Sequence, residues 1–402
     1  MTNPSAEQPS GAAQGRAVYL HIGAPKTGTT FLQAMLHAHR DRLRQDGCFY
    51  PRSRLTAHHD EARDLRNAKP GGYLHPQVPG SWNRLVRKVH HWQGHGVVVI
   101  SSELLAFATT EQAQRAIESL RPAKVHLLVT LRDLVRQVPA VWQETVKNRN
   151  AMTYEEFLRR MTEGHNQAGP RRLWDGQDPT RILAHWGQQI PPERVHLVTV
   201  PPRGADSRLL WQRFAGVLGV DPARYPEVDT GANTSLGAAE TEVVRRLNEQ
   251  VQDAPWPFYA HHVKNGIAQG VLAGRPGPRL VLPESALQFV EGRTKEMIDA
   301  VGGRGYDVAG DLDDLLPPSD GSGVGAMPEP DPEQLAEASG LAADYLAREF
   351  ARSARRSHTG RQPEGKDRLL PVKRRLVRLS TQYTVVDRLR RGYTFARRRL
   401  RR

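Results

Sequence analysis

Residues 23–30, Gly-Ala-Pro-Lys-Thr-Gly-Thr-Thr, are of the types that bind a compact anion. They follow an apolar run, residues 18–22, and open into an amphipathic segment, residues 30–46, so they join a predicted strand to a predicted helix. Gly28 can adopt a positive φ or allow close approach of the backbone, and successive N–H groups at a helix start form a nest for an anion. Threonine hydroxyls and the charge of Lys26 add further donors. These residues, called the phosphate loop below, predict a phosphate site.

A Walker A loop is the first interpretation to test, because ATPases and GTPases bind nucleotide phosphates with it. That loop has the pattern G-x-x-x-x-G-K-[ST], in which the lysine after the second glycine reaches the β- and γ-phosphates. Here Lys26 precedes Gly28 and Thr29 follows it. This order disfavours an ordinary ATPase or GTPase and retains a strand-loop-helix cradle for an anion. A strand, a glycine turn and a helix start also occur as plain connections that bind no anion. For the loop taken alone, this alternative stays open.

The sequence "PKTGTT", after a run that ends in "HIG", resembles the 5′-phosphosulfate loop of the sulfotransferase family. The resemblance extends loosely over about residues 17–248, and only this first loop is specific. It implies a P-loop-like α/β fold and a donor, 3′-phosphoadenosine-5′-phosphosulfate (PAPS), used without a catalytic metal. The cofactor-binding residues that it implies in the loop are Pro25, Lys26, Thr27, Gly28, Thr29 and Thr30.

A second basic motif lies at the end of a later predicted strand, residues 125–131. Arg132 follows that strand directly, where a guanidinium can bind a second phosphate through two hydrogen bonds. In sulfotransferases a similar stretch, R-[ND]-P-x-x-R-x-x-S-x-[YW], binds the 3′-phosphate of the donor. Arg132, Asp133 and Trp142 match this pattern. Phosphates at opposite ends of one nucleotide would account for both motifs together, which is a stronger indication than either motif gives alone.

Three positions depart from that second pattern. Leu134 stands at the proline, Gln137 near the second arginine and Ala140 at the serine. We expect Arg136 or Gln137 to supply the hydrogen bond that these changes remove. The alternative is that the arginine at 132 caps the strand or pairs with Asp133.

Sulfuryl transfer needs in-line geometry, stabilisation of charge on the leaving oxygens and removal of a proton from the acceptor hydroxyl. Lys26 fits the role of stabilising charge, because it can neutralise the bridging and leaving oxygens. Glu103 is the best candidate for the base, because it follows the predicted strand Val97–Ser101 and ligands of such sheets bind at the carboxyl ends of the strands. The alternative role of Glu103 is a cap or ion pair of the next helix.

Histidines supply a second candidate for the base. His59 lies in a polar segment that can line an acceptor pocket, while His261 and His262 lie among aromatic residues able to stack on a sugar or aromatic acceptor. A single histidine is more often a surface or core residue than a base. Residues 231–237, with Asn233 and Ser235, are either a loop that covers the cofactor or a plain helix cap.

Short β-branched runs alternate with segments of helical periodicity along the body of the chain. The predicted strands are residues 18–22, 97–101, 125–131 and 195–200. The predicted helices are residues 30–46, 110–119, 133–149, 179–189, 209–218, 236–251, 283–301 and 331–353. This alternation predicts an α/β fold with a doubly wound, mainly parallel sheet flanked by helices, to which helical additions and a basic tail are joined.

Composition divides the chain into four predicted parts. Residues 1–16 are a polar, disordered leader, residues 17–310 a sulfotransferase-like α/β domain, residues 311–332 an acidic and Pro/Gly/Ser-rich linker, and residues 333–402 a helical, Arg-rich extension. The opening lacks the apolar region of a signal peptide, and no run approaches the roughly 18 apolar residues of a spanning helix. The single cysteine and the absence of a zinc-type Cys/His spacing fit a reducing compartment and a metal-free core. We therefore expect a cytoplasmic protein.

The basic character of the chain belongs to its end. The net charge is +14, yet residues 352–402 hold 18 Lys/Arg against 3 Asp/Glu, and residues 1–351 hold 39 against 40. Basic clusters interleaved with apolar residues bind anionic membranes or polyanions. Because no recognised nucleic-acid module accompanies them, we expect a membrane surface or an anionic substrate instead of nucleic acid. A solvated extension is the alternative.

The function that these motifs predict is transfer of a sulfuryl group from PAPS to an acceptor hydroxyl of a carbohydrate, glycolipid or small metabolite. A P-loop kinase is the alternative enzyme, although it needs a Walker-type lysine and a Mg²⁺ carboxylate that the chain does not place convincingly. A nucleotide- or polyanion-binding protein of the same fold without catalysis is the third interpretation, and Ala140 keeps it open.

Overall fold

A computed structural model describes residues 15–51, 57–163, 174–228 and 235–358. Asn233 and the basic segment after His358 lie outside the described residues, as do the first fourteen residues of the predicted leader. Arg16, the last residue of that leader, is buried and donates a hydrogen bond of 2.7 Å to the carbonyl of Val89.

The chain divides into two compact units. The first comprises residues 1–138, 158–231 and 282–325, and the second comprises residues 139–157, 232–281 and 326–402. In the first unit the predicted linker includes Asp314, whose carboxylate accepts a hydrogen bond of 2.7 Å from Thr199 and one of 2.6 Å from Arg213. Such contacts cannot be predicted from amino-acid composition. The four-part division of the chain stays a prediction.

Six parallel strands form one sheet in the first unit, in the order β2-β3-β1-β4-β5-β6. Their bounds are β1 (Ala17–His21), β2 (Cys48–Phe49), β3 (Val97–Ser101), β4 (Lys124–Leu131), β5 (Val195–Thr199) and β6 (Asp307–Ala309). The central strands are apolar along both faces because helices cover both. Val18 and Leu20 face one core cluster, and Tyr19 between them faces the other. The predicted α/β fold with a parallel sheet is confirmed.

Thirteen helices are named here, with their bounds in chain order. They are α1 (Thr29–Ala38), α2 (Arg40–Gln45), α3 (His59–Arg66), α4 (Ser81–His91), α5 (Thr110–Ser119), α6 (Leu134–Lys147), α7 (Tyr154–Glu163), α8 (Pro179–Trp186), α9 (Leu209–Val217), α10 (Ala238–Gln250), α11 (Trp256–Tyr259), α12 (Glu284–Gly302) and α13 (Pro332–His358). A π-helical segment, Ala260–Leu272, follows α11 directly.

Local sequence patterns locate most of these elements and miss the short ones. The predicted helix at residues 30–46 is two helices, α1 and α2, which are separated at His39. The edge strands β2 and β6 have two and three residues, too few for a visible period. Helices α3 and α4 also lie where no helix was predicted.

In the second unit, α10, the π-helical segment and α13 pack against one another. Tyr259 is fully buried there, and its hydroxyl lies 2.8 Å from Oδ1 of Asn248, to which it donates. Across the described residues, no helix is both long enough and apolar enough to cross a membrane.

Strand order places the phosphate loop at a reversal of the sheet. β1 lies between β3 and β4, so the chain leaves β1 toward one edge and later continues on its other side. Ligands of open α/β sheets bind outside the carboxyl ends of the strands at such a reversal. The loop after β1, Glu103 after β3 and Arg132 after β4 all lie at this position.

Candidate functional site

Two glycines allow the phosphate loop to pack closely against the residues around it. Gly23 has φ 98° and Gly28 has φ 81°, both in the left-handed region that favours glycine. A Cβ at Gly23 would lie 3.2 Å from Cα and Cβ of Glu103, and one at Gly28 would lie 2.5 Å from Cδ2 of Leu210. The first of these contacts brings the loop directly against the predicted base. Lys26, with φ 69°, adopts the left-handed conformation between the two glycines.

The loop delivers the start of α1 without a capping side chain. Gly28 occupies the cap position, no described side chain caps it, and the first turn carries no acidic residue. The first N–H groups of a helix have no partner within the helix and carry partial positive charge, so they attract an anion. Thr29 is buried at 4% exposure, whereas Thr30 is exposed. These two hydroxyls therefore have different access to a ligand.

A chain of buried polar side chains begins at Glu103. The Gln33 amide donates hydrogen bonds of 2.9 Å to Oε2 of Glu103 and 3.2 Å to Oγ of Ser101. Oγ of Ser101 lies 2.8 Å from Nδ1 of His21. A hydroxyl can donate one hydrogen bond and accept two, so Ser101 can connect the Gln33 amide with the imidazole of His21.

The same chain continues from His21 to the phosphate loop. Nε2 of His21 lies 3.4 Å from Oγ1 of Thr130, which in turn contacts Oγ1 of Thr27. The Thr27 hydroxyl donates to the carbonyl of Ala24 within the loop. His21, Thr130 and Thr27 are fully buried, so one another's polar atoms satisfy these groups in place of water. We call this hydrogen-bonded chain, from Glu103 to Thr27, the buried network.

Burial lowers the pKa of His21 to about 4, and the nearby charge of Glu103 opposes this effect. His21 is therefore neutral at physiological pH, as its place in the buried network requires. A neutral imidazole donates from one nitrogen and accepts at the other, so it can connect a serine hydroxyl with a threonine hydroxyl. This geometry gives His21 a positioning role between the loop and Glu103.

Glu103 and His59 form a partly exposed pair at the mouth of the site. Oε1 of Glu103 lies 3.7 Å from Nε2 of His59, and the side chains are 21% and 27% exposed, respectively. Nδ1 of His59 lies 3.0 Å from Oγ of Ser102. Ser102 also accepts a hydrogen bond from the N–H of Leu104 and so caps the short 3₁₀ helix that begins at Glu103. The cap role considered for Glu103 thus belongs to Ser102.

Arg132 extends from the end of β4 toward the loop. Its Nη1 donates a hydrogen bond of 3.0 Å to the backbone carbonyl of Lys26. Burial and, to a smaller extent, the charge of Arg136 lower the pKa of Arg132 to about 10, while Asp133 opposes both effects. The guanidinium therefore stays charged at neutral pH. Its buried Nε has no hydrogen-bond partner among the residues that the structure describes.

Arg136 and Gln137 are held by protein groups. Asp133 accepts from the backbone N–H of Arg136 at 2.8 Å and also from Nε of the same residue, so it caps α6 and pairs with Arg136. Nη2 of Arg136 donates to the carbonyl of Pro201 at 2.9 Å. The Gln137 amide donates to Oε1 of Gln177 at 2.6 Å and to the loop carbonyl of Pro25 at 3.4 Å. Their predicted contact with a 3′-phosphate stays a prediction.

The remaining predicted residues lie outside the first unit. His261, His262, Ser235 and Trp142 belong to the second unit, as does Ala140. The site instead recruits Gln33 and Thr130, which sequence reasoning missed. Their signal was a polar residue in an apolar position: Thr130 interrupts a buried strand, and Gln33 lies between the buried Leu32 and Met35 of α1.

Chemically, the assembled groups combine an anion cradle with a proton acceptor. The uncapped start of α1 and the guanidinium of Arg132 provide positive charge at the carboxyl edge of the sheet. Cα and Cβ of Glu103 lie next to the loop, and its partly exposed carboxylate can take a proton from a group that approaches the cradle. This combination suits transfer of an anionic group to a hydroxyl.

Comparison with known proteins gives little further information. Neither a protein-family model nor a curated protein matches the chain significantly. Among solved structures, the chain is similar to a sulfotransferase from Alicyclobacillus acidocaldarius, at 19% sequence identity and a TM-score of 0.37. The match covers 63% of this chain and 94% of that one. Similarity at this level is too weak to decide the family or the activity.

Proposed function

We propose that this protein transfers a sulfuryl group from PAPS to the hydroxyl of an acceptor. The observation that carries the proposal is the position of Glu103, whose Cα and Cβ would lie 3.2 Å from a Cβ at Gly23 of the phosphate loop. A glutamate whose Cα and Cβ lie this close to an anion cradle has a carboxylate within side-chain reach of it, and that carboxylate can accept the proton of a nucleophile that attacks the bound group. An anion-binding module without catalysis has no need of a carboxylate at this position, because its charge would oppose the ligand.

The loop and Arg132 are proposed to hold the two ends of the donor. Backbone N–H groups at the start of α1, with Thr29, Thr30 and Lys26, bind the 5′-phosphosulfate. Arg132 binds the 3′-phosphate through its fork of donors, of which Nε lacks a partner among the described residues. Gln137 and Arg136 orient this end indirectly, through the loop carbonyl of Pro25 and the cap of α6.

Glu103 is proposed to act as the base. The carboxylate takes the proton of the acceptor hydroxyl while the acceptor oxygen forms a bond to sulfur and the bond from sulfur to the 5′-phosphate oxygen breaks. Lys26 neutralises the charge that develops on the leaving 3′,5′-ADP. His59, with Nε2 3.7 Å from Glu103, then receives or shares the proton at the exposed side of the pair. The acceptor class remains a carbohydrate, a glycolipid or a small metabolite.

The test is the thermal stability of the full chain with 3′,5′-ADP or with ATP and Mg²⁺. We expect 3′,5′-ADP to raise the melting temperature without added metal, because a ligand that binds only the folded state stabilises it. Lys26→Ala and Arg132→Ala should weaken this effect. Their matched controls are Lys88→Ala and Arg87→Ala, at exposed positions of α4 in the same unit.

Each other result has a defined meaning. Stabilisation by ATP and Mg²⁺ but not by 3′,5′-ADP would replace the proposal with a kinase. Stabilisation by 3′,5′-ADP without turnover of PAPS, whether or not acceptors are present, would indicate a binding protein of the same fold. Equal loss of stabilisation in the α4 controls would remove the phosphate loop from the site.

We further propose that the protein is cytoplasmic and that residues 352–402 attach it to an anionic membrane surface. The charge of this segment supports attachment, since each Lys or Arg near such a surface contributes about 1 kcal/mol and salt screens the effect. A chain that ends at Ala351 should bind anionic vesicles less than the full chain at low salt, and both should bind neutral vesicles weakly. Equal attachment of the two chains to anionic vesicles would contradict the proposal, and retention of the full chain by an acidic glycan alone would redirect it.

A further inference from the structure

Ligand-type side chains also meet in the second unit, away from any role in the proposed reaction. His261, His262 and Glu349 each offer one ligand atom, and these atoms all lie within 4.8 Å of one another. His261 is exposed, while His262 and Glu349 are partly buried. Two imidazoles and a carboxylate form the ligand set that open zinc sites use, with a fourth position left for water.

Backbone geometry explains how two consecutive histidines come to share one location. Both lie in the first turn of the π-helical segment Ala260–Leu272. A π-helical turn contains more residues than an α-helical turn, so consecutive side chains diverge by a smaller angle. The rings of His261 and His262 are 4.6 Å apart between centroids and meet edge to face at 86°. Glu349 reaches the same place from α13, which packs against this segment.

His262 carries a second sign of an unfilled interaction. Its Nδ1 is buried, and no described residue forms a hydrogen bond with it. On one side the ring of Phe258 packs against His262, with 4.6 Å between centroids.

Glu349 has an ion-pair partner that can move away. Its carboxylate forms an ion pair with Arg352 one turn later on α13, and the Arg352 side chain is 65% exposed. An exposed ion pair of this kind contributes little to stability. Arg352 can therefore yield its place to a cation of higher charge without leaving a buried group unpaired.

We propose that His261, His262 and Glu349 form a binding site for a divalent transition metal ion of the Zn²⁺ type. The imidazoles favour zinc, cobalt or nickel over magnesium and calcium, which prefer sites made of oxygen atoms. A bound ion joins the π-helical segment to α13 and so stabilises the packing of the second unit. This inference is independent of the proposed transferase activity.

Zn²⁺ alone is the probe, titrated calorimetrically into the full chain prepared without a polyhistidine tag. Because the chain holds 16 histidines, variants must distinguish this site from adventitious binding. We expect one tight site per chain, and a loss of affinity of at least about tenfold in His261→Ala, in His262→Ala and in Glu349→Gln. His261→Ala and Glu349→Gln leave the partly buried His262 in place, so they test the site even where His262→Ala fails to fold.

The chain provides a matched control in a second histidine pair. His90 and His91 are also consecutive and also partly buried and exposed, respectively, but their described contacts are the carbonyls of Ser119, at 3.0 Å, and Arg87, at 2.7 Å. Replacing both with alanine should leave the tight site intact. The proposal is overturned if wild type shows no tight site, or if Glu349→Gln and His261→Ala bind Zn²⁺ as wild type does.

Discussion

The two sides of the phosphate loop differ in how their polar groups are satisfied. On the β3 side, Gln33, Ser101 and His21 form hydrogen bonds with one another, and only Glu103 and its neighbour His59 are partly exposed. On the β4 side, Arg132 makes one described hydrogen bond to the loop and keeps a buried Nε without a described partner. A satisfied network holds groups in place, whereas an unsatisfied buried donor is a position for a ligand. We therefore propose proton transfer on the first side and anion binding on the second.

The largest effect is expected for Glu103→Gln, which should reduce proton transfer and leave anion binding intact. Glu103→Gln keeps the size of the side chain and can still accept from Gln33, but it cannot take a proton. Turnover of PAPS with a true acceptor should fall by about 10²–10⁴-fold, while the affinity for 3′,5′-ADP stays nearly unchanged. Rapid-mixing kinetics and calorimetry measure the two quantities. Near-normal transfer would exclude Glu103 as the base and leave His59 as the candidate.

The opposite pattern is expected for Arg132. Arg132→Ala should weaken 3′,5′-ADP by about tenfold to a hundredfold, because a hydrogen bond to a charged group contributes about 1.5–3 kcal/mol. Arg132→Lys should restore only part of the affinity, since an ammonium lacks the planar fork. The exposed Arg87→Ala is the control. If lysine restores full affinity, Arg132 acts only as a charge and not as a two-point ligand.

His21 tests the buried network through the stability of the fold. His21→Phe leaves the hydroxyls of Ser101 and Thr130 without this partner, which should cost about 1–3 kcal/mol of unfolding free energy. Because the folded-state pKa is lowered to about 4 from an ordinary value of 6.5, the unfolded chain binds more protons between these values. Wild-type stability should therefore fall as pH drops from 6.5 toward 4, and the variant should lose part of that slope.

Chemical denaturation at several pH values measures this difference. The exposed His91→Phe serves as the control for adding an aromatic ring in place of an imidazole. His58 and His126, whose pKa values burial also lowers to about 4, keep part of the slope in every variant. An unchanged slope in His21→Phe would show that burial does not lower the pKa of His21 in the folded state.

Gln33 should give the smallest change. Gln33→Met retains the volume of the side chain and removes the donors to Glu103 and Ser101, at a cost of about 0.5–1.5 kcal/mol. We expect kcat to fall severalfold and the pH–rate profile to shift, while KM for PAPS stays the same. A change in KM with an unchanged kcat would place Gln33 on the anion-binding side of the comparison.

Local pattern predicted the central sheet well because buried parallel strands are continuous apolar runs. Strand β3 has the predicted bounds, β4 and β5 differ by one residue at one end, and β1 is shifted by one residue toward the N-terminus. Pattern failed for β2 and β6, which have only two and three residues and owe their pairing to the strands beside them. It also failed to find α3, although this helix begins at His59, a residue selected for its chemistry.

The sequence by itself determined the chemistry that this protein offers: a glycine-containing loop between a strand and a helix, an arginine after β4, and a glutamate after β3. These follow from residue type and from the rule that parallel strands present their carboxyl ends at one edge. Only the tertiary structure decided which groups meet. It connected Glu103 to the loop through Gln33, Ser101, His21, Thr130 and Thr27, committed Arg136 to Asp133, and assembled His261, His262 and Glu349. These contacts join residues far apart in the chain, and burial, which local sequence does not record, forces their polar atoms to pair with one another.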